Sequence, residues 1–524
     1  MTVTYEDLER HYSKFVSASA MRKKLVTFWL PDPNYSHLEE DDYLKSKETK
    51  KDLIPLSLGL PNSGFFPIKS IDLNIVDHPF DNSNDDITNP KNIANITKTN
   101  PVEMDLSHVL QYGDTKGLSP LLEFVQDFIK SVGNQPLYDE WDTIIANGSN
   151  DSLFKIFETL ADENTTVLVE EFSFIPVLSA IYGAGAKAVP TKLKIPVVNK
   201  DNFNSNIPYN KHNEGIDVEY LSDMLDNWAT GPYKHMAKPT LLYTVTTGQN
   251  PTGVSTSMEN KQKIIDLAKK HDFIIIEDDP YGYLRLPLFN RSNPNENIYQ
   301  ADDFNSTRYL KDIMIKSYLS LDDDGRVLRL ETFSKVFAPG LRLSFIAGNK
   351  YIIKQILDYT DVSTRGASSV SQSLVYSTLK TMSQRDNKPM CEAWLDWIIQ
   401  VAKEYTERRN AVLKTAYESE AFKKGYFSVI EPSAGMFVDF EINFNSLNGE
   451  FCDIEGMNRI NKYFVKNGLG VVLAYKMALD VELSKDHSTL IRTAISFADE
   501  PKDLIEAVNR LNTSCIEFFE KRIK

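Results

Sequence analysis

ETFSKVFAPGLRLSF, running from Glu331 to Phe345, sets one lysine between hydroxyls and follows it seven residues later with an arginine. A lysine amine condenses with a carbonyl to a Schiff base, while Thr332 and Ser334 can donate to phosphate oxygens and Arg342 can grip them with its planar fork. The stretch therefore carries chemistry for a ligand with both an aldehyde and a phosphate. A serine-lysine pair beside a strand also makes an ordinary surface turn, so the rest of the chain has to choose. Apolar runs flank it, RVLRLETFS before and LRLSFIAG after, and further ones stand upstream at TVLVEE near Val167, LLYTV near Leu241 and FIIIEDD near Ile275. These short runs alternate with amphipathic segments, which is the rhythm of an α/β sheet.

Three further segments add chemistry. IIIEDDPYGYL ends a strand-like run in Glu277, Asp278, Asp279, Pro280 and Tyr281, and polar groups at the carboxyl end of a buried strand point into a ligand crevice. A carboxylate there can pair with a protonated pyridine nitrogen, although an acidic turn closed by Asp-Pro reads the same way. In TTGQNPTG, Thr246 to Gly253, Asn250 can donate to a phenolate oxygen; the alternative is a plain turn before a helix starting at Ser255 or Ser257. In ANGSNDSLFKIF, Leu153, Ile156, Phe157 and Leu160 have helical spacing, so Gly148, Ser149 and Asn150 fall at a helix N-terminus, where free N–H groups favour an anion or are simply capped. Together the four segments complete one site for pyridoxal 5'-phosphate.

Composition narrows the class. The 524 residues are 42% hydrophobic and 25% charged, an ordinary globular balance with room for more than one domain. A formal net charge of −15 disfavours nucleic acid and anionic membrane as partners. Cys391, Cys452 and Cys515 are far apart without CxxC spacing and read as reduced thiols. The first residues, MTVTYEDLERHYSKF, have neither a signal peptide's apolar core nor a transit peptide's poverty in acids, and no run has the length of a membrane span, so the expected compartment is the cytoplasm. Asn-, Asp- and Pro-rich stretches from Asn82, Asn199 and Phe289 read as surface insertions. Leu504, Ile505, Val508, Leu511 and Cys515 mark a closing helix in a smaller C-terminal α+β unit.

GDTKGLSPLLEFV, EEFSF, GPYKH, TGQNPTG, EDDPYGYL, ETFSKVFAPGLRLSF and EPSAGMF occur in an order that resembles the fold-type-I pyridoxal-phosphate aminotransferases, from about Pro55 to the C-terminus. The likeness is to the branch of kynurenine/2-aminoadipate aminotransferases and fungal aromatic-amino-acid aminotransferases, especially the second, catabolic type of yeasts. It implies a mainly parallel, seven-stranded-type sheet in a large domain over 76–360, an N-terminal arm and part of a small domain over 1–75, and a small α+β domain over 361–524. By the same resemblance Lys335 is the Schiff-base lysine, Asp278 the pyridine-nitrogen partner, and Tyr281 and Asn250 the donors to the 3-oxygen. Ser149, Asn150, Thr332, Ser334 and Arg342 form the phosphate shell, and Phe174 stacks on the ring. Tyr112 enters the neighbouring subunit's phosphate site, implying a homodimer with shared sites. Arg492 holds the substrate α-carboxylate and Gly59 lines that pocket; no metal is implied.

The implied reaction is transfer of the amino group of phenylalanine, tyrosine or tryptophan to 2-oxoglutarate or another 2-oxo acid. Within the branch the alternative is 2-aminoadipate or kynurenine. The wider branch carries an arm arginine for acidic side chains, whereas this chain reads MRKKLVTFWLP, where Arg22, Lys23 and Lys24 are the candidate substitutes. Val26, Phe28, Trp29 and Leu30 there either face an aromatic ring or pack as a strap. A lyase or decarboxylase on the same fold is opposed by Arg492, since a decarboxylase must release that carboxylate. A ligand-sensing regulator of this fold would need a DNA-binding domain, for which the residues before Pro55 leave little room.

Overall fold

Ile274, Ile275 and Ile276 stand in one strand, and their side chains go to opposite faces of a sheet. Ile274 and Ile276 join Leu241, Tyr243, Leu328 and Leu330 in one core, while Ile275 joins Leu242, Val327 and Phe345 in another. A strand covered on both faces is apolar throughout, which is why FIIIEDD shows no alternation. The structure, a computed structural model, describes residues 3–23, 59–80, 90–98, 104–204, 213–444 and 453–520.

Among the described residues the strands are β1 (Ser70–Asn74), β2 (Ile93–Thr97), β3 (Trp141–Ala146), β4 (Thr166–Glu170), β5 (Lys187–Thr191), β6 (Leu193–Lys194), β7 (Gly215–Ile216), β8 (Leu241–Val245), β9 (Ile274–Asp278), β10 (Val327–Thr332), β11 (Ser344–Asn349), β12 (Phe427–Ile430), β13 (Asp439–Ile442), β14 (Val472–Leu473) and β15 (Leu490–Arg492). The main sheet has seven strands in the order β3-β11-β10-β9-β8-β4-β5. Only β11 runs against the rest, pairing antiparallel with both β3 and β10. The carboxyl ends of β3, β4, β8, β9 and β10 therefore share one edge, where ligands bind in open α/β sheets. This is the mainly parallel α/β sheet that the motifs imply.

Helices cover both faces. Ser149–Leu160 buries Leu153, Ile156, Phe157 and Leu160, as their spacing predicts, and Met258–His271 covers the other face with Ile264, Ile265 and Ala268. A second, antiparallel sheet, β12-β13-β15-β14, packs on the closing helix Pro501–Glu520. In that helix Leu504, Val508, Leu511 and Cys515 are buried, whereas Ile505 is exposed, one position round the helix from Leu504. The 29-residue helix Met390–Glu418 serves both cores, burying Trp394, Leu395 and Ile398 beside the main sheet and Val412, Leu413 and Ala416 beside the second.

Two stretches read as insertions contain ordered structure. Within the first, β2 pairs with β1 and buries Ile96. Within the third, Phe289, Asn297 and Tyr299 are buried; Tyr299 Oη donates to the Arg285 carbonyl at 2.7 Å and Asn297 Nδ2 to the Lys403 carbonyl at 3.0 Å. Asparagine-rich composition does not separate a solvated loop from one whose amides satisfy buried carbonyls. No helix among the described residues is long and apolar enough to cross a membrane.

Candidate active site

The shared strand edge opens into a cavity of about 420 Å³, within the range that holds a cofactor. Ser149 and Asn150 enter it beyond β3, Phe174 beyond β4, Asn250 beyond β8, Asp278 and Tyr281 from β9, and Thr332, Ser334, Lys335 and Arg342 from β10 and the turn after it. Arg492 reaches it from β15 of the second sheet.

One end is built for an oxyanion. The helix Ser149–Leu160 begins after Gly148 without a side-chain cap, so its first N–H groups remain available. Arg342 is exposed, adopts a left-handed φ of 51°, and donates through Nη1 to the Pro339 carbonyl at 3.1 Å. Its guanidinium lies against the Gly148 backbone: a Cβ there would clash with Arg342 Nη2, and φ is +86°. Thr332 Oγ1 donates to Ser334 Oγ at 2.9 Å and accepts from the Ser334 N–H at 3.1 Å, which folds both hydroxyls back beside the lysine. Gly148→Ala is expected to push Arg342 off the helix N-terminus and weaken a bound phosphate roughly 10- to 100-fold, the worth of a hydrogen bond to a charged group. A Kd titration with pyridoxal phosphate measures it.

Asp278 of the lining is one of three buried acids, with Glu170 and Glu277, that each take a hydroxyl from β8 or from the residue just after it. Tyr243 Oη donates to Asp278 Oδ2 at 2.8 Å, Thr244 Oγ1 to Glu170 Oε1 at 2.5 Å, and Thr246 Oγ1 to Glu277 Oε1 at 3.1 Å. Glu170 Oε2 also accepts from Gln249 Nε2 at 3.0 Å, and Gln249 Oε1 takes the Thr252 N–H at 2.9 Å, which ties the TGQNPTG turn to the end of β4. Burial raises the Asp278 carboxyl to about 7, against the Tyr243 hydrogen bond; Asp279 adds to the rise and Lys335 opposes it. Its Oδ1 is buried without a hydrogen-bond partner. Burial lowers the Lys335 amine below its ordinary range; Asp278 opposes this, and Arg342 and Arg492 reinforce it. Burial, with the Asp278 charge, raises the Tyr281 phenol.

Arg492, also in the lining, donates through Nη1 to Asn250 Oδ1 at 2.8 Å, and its guanidinium sits 4.8 Å from the centre of the Phe437 ring. Among the described residues no carboxylate pairs with it within 4.0 Å. Met436, Phe437, Val245, Pro280 and Pro339 complete the wall. Phe437 was legible only as part of EPSAGMF, without a role, and Tyr243 only as one residue of an apolar strand; a lone phenol in such a run was the available signal. Two expected residues do not line the cavity. Tyr112 is 67% exposed, and Gly59 is exposed with nothing within 4 Å of the Cβ it lacks. Lys24, Val26, Phe28, Trp29 and Leu30 lie outside the described residues, as do the side chains of Arg22 and Lys23.

These donors fit pyridoxal phosphate. An anion cradle that only glycine permits, an amine held partly out of water, and an unpartnered carboxylate oxygen suit a phosphate, an aldehyde and a protonated ring nitrogen in turn.

Residues 68–443 match the family model for aminotransferase class I and II. The chain is 43% identical to Aromatic amino acid aminotransferase 2 of Saccharomyces cerevisiae over 99% of this chain and 98% of that one. It is 29% identical to the mitochondrial kynurenine/alpha-aminoadipate aminotransferase of Mus musculus over 82% of this chain and 84% of that one. The crystal structure of the aromatic aminotransferase Aro9 from Candida albicans superposes with a TM-score of 0.81 at 39% identity, covering 97% of this chain and 98% of that one.

Proposed function

The chain belongs to the class I and II aminotransferases, and we propose that within that family it moves the amino group of phenylalanine, tyrosine or tryptophan to 2-oxoglutarate or another 2-oxo acid. The observation that carries this reading is one cavity lined by Lys335, Asp278, the anion cradle and Arg492, with Phe437, Met436 and Phe174 in its wall. The aromatic aminotransferase names of the yeast relatives support the same substrates.

Pyridoxal phosphate, when bound, supplies an aldehyde for the amine and a protonated ring that withdraws electrons from the substrate carbon. Ser149, Asn150, Thr332, Ser334 and Arg342 would hold its phosphate, Asp278 its ring nitrogen, Asn250 and Tyr281 its phenolate oxygen, and Phe174 would stack on the ring. Arg492 takes the substrate α-carboxylate in two parallel hydrogen bonds, exchanging Asn250 for a charged partner. With the carboxylate held there, Lys335 Nζ, which lines the same cavity, would take the α-proton and give it back. Burial shifts that amine toward its neutral form, the direction a base requires. Release of the 2-oxo acid would consume one water, and uptake of the amino group by the acceptor oxo acid would return one, so the exchange balances overall.

Arg492→Ala is expected to cost about 2–5 kcal/mol in kcat/KM, the range for truncating one member of a desolvated charge pair, and to do so equally for every α-amino acid. A loss confined to one substrate would contradict the α-carboxylate role. The side chain is recognised by apolar wall instead. The distal carboxylate of 2-aminoadipate meets no cation beyond Lys335, Arg342 and Arg492 among the described lining residues. Single-turnover discharge of the cofactor absorbance by a panel of amino acids tests the reading, with phenylalanine, tyrosine and tryptophan expected to react ahead of 2-aminoadipate and aspartate. A preference for aspartate would overturn it.

The working enzyme on this reading is a cytoplasmic homodimer with shared sites, supported by the exposure of Tyr112 and Arg342 and by the unpaired thiols of Cys391 and Cys515. The division into 1–75, 76–360 and 361–524 is part of the same proposal. Mixing Tyr112→Ala with Lys335→Ala subunits is expected to regain activity, because a mixed dimer gathers both lesions in one site and leaves the other whole; no recovery on mixing would exclude sharing.

A further inference from the structure

Tyr243 is fully buried in the middle of β8, with Leu241 and Leu242 before it and Val245 after it. A phenol among apolar neighbours on both faces needs an acceptor. The β8–β9 register sets Tyr243 opposite Ile276, which makes Asp278 its diagonal neighbour two residues on, within reach of a long side chain. The 2.8 Å bond to Asp278 Oδ2 is the result, and the other carboxylate oxygen has no partner. The charged and titratable groups around Asp278 come from every neighbouring segment: Tyr243 on β8, Glu170 at the end of β4, Asp279 and Tyr281 beyond β9, and Lys335 in the turn after β10. Glu170 and Asp279 work against its ionisation, and Lys335 is to be consumed by the cofactor. Tyr243 is left as the permanent donor to the charged carboxylate.

On the reading given under Proposed function, we propose that Tyr243 is a positioning residue that keeps the Asp278 carboxyl ionised and turned so that Oδ1 is presented to the ring nitrogen of pyridoxal phosphate. The hydroxyl never touches the reacting atoms; it acts through Asp278. Removing it leaves a carboxyl that holds its proton to higher pH and can rotate, so the defect should shrink as alkali ionises Asp278 again.

The test is binding of pyridoxal phosphate to the full-length apoenzyme, followed by tryptophan fluorescence between pH 6 and pH 9, for the parent, Tyr243→Phe, Asp278→Asn and the double variant. At pH 7 Tyr243→Phe is expected to raise Kd about tenfold, for loss of one hydrogen bond to a charged acceptor, and to move the binding curve up by about one pH unit. In the Asp278→Asn background the same substitution should change nothing. A Kd raised equally at every pH, a loss that persists once Asp278→Asn has removed the carboxylate, or no effect at all would each overturn the proposal. Incorporating 3-fluorotyrosine at position 243, a stronger donor that keeps the shape, should shift the curve the opposite way and serves if the phenylalanine variant does not fold. A parent apoenzyme that fails to bind pyridoxal phosphate would instead sink the functional reading itself.

Discussion

Lys335→Ala is expected to abolish transamination, lowering kcat by about 10⁴-fold or more, because one side chain supplies both the nucleophile and the general base. Among the described residues Lys335 is the lysine that lines the cavity, together with Asp278 and the hydroxyls of Thr332 and Ser334. Borohydride reduction of the loaded enzyme followed by peptide mapping should put the pyridoxyl group on this residue and on no other. Label on Lys155 or Lys350 would remove the assignment, and Lys155 is a sharp control: it is buried and ion-paired to Asp151 at 2.7 Å in the same helix that forms the anion cradle. An external amine restoring part of the activity of Lys335→Ala would separate loss of the proton carrier from loss of the fold.

Asp278→Asn should cost about 10²–10³-fold in kcat, the usual effect of deleting one preorganised electrostatic partner, and should leave a second mark on the apoprotein. The folded-state carboxyl titrates near 7 against an ordinary 3.8, with burial as the leading cause. The folded chain therefore binds this proton more tightly than the unfolded chain does. Its contribution to stability is fully present below about pH 4 and is lost as pH rises through about 7. At about 1.36 kcal/mol per pH unit the window is worth a few kcal/mol at most. Thermal melts of apo Asp278→Asn should lack this part of the pH slope, making the variant more stable than the parent above pH 7 and indistinguishable near pH 4. Saturating pyridoxal phosphate should close the gap by giving the parent's carboxylate a cation. A variant less stable than the parent at pH 8 would mean that Asp278 is not held as an uncompensated charge.

Much of the site was legible because local chemistry and local periodicity carry it. Strands β4, β8, β9 and β10 are built mainly of Val, Ile and Leu and are buried along their length, and the residue types that follow them are polar where a ligand must be held. Lys335, Asp278, Asn250 and Arg342 stand at such ends, and parallel strands bring their ends together whatever the order of the sheet. Ser149 and Asn150 were readable for a different reason, since the spacing from Leu153 to Leu160 locates the helix start.

The remainder depends on distances that no local pattern encodes. Ile505 satisfies the helical spacing as a neighbour of Leu504 yet remains 39% exposed, because only the packed sheet decides how wide the buried stripe is. Gly148 reads as one more glycine before a helix; that Arg342, far along the chain, comes to rest where its Cβ would be is a property of the assembled edge. Tyr112 and Gly59 carry family-derived roles that a single folded chain leaves outside the cavity.

Linear order carries the alternation of strand and helix, the polar residues at the strand ends and so the class of cofactor they suit. Which of those residues meet is settled by packing. Tyr243 and Asp278 are 35 residues apart, and their hydrogen bond exists because β8 and β9 pair in one register; a slip of one residue would turn the side chains of one strand to the opposite face and part the two.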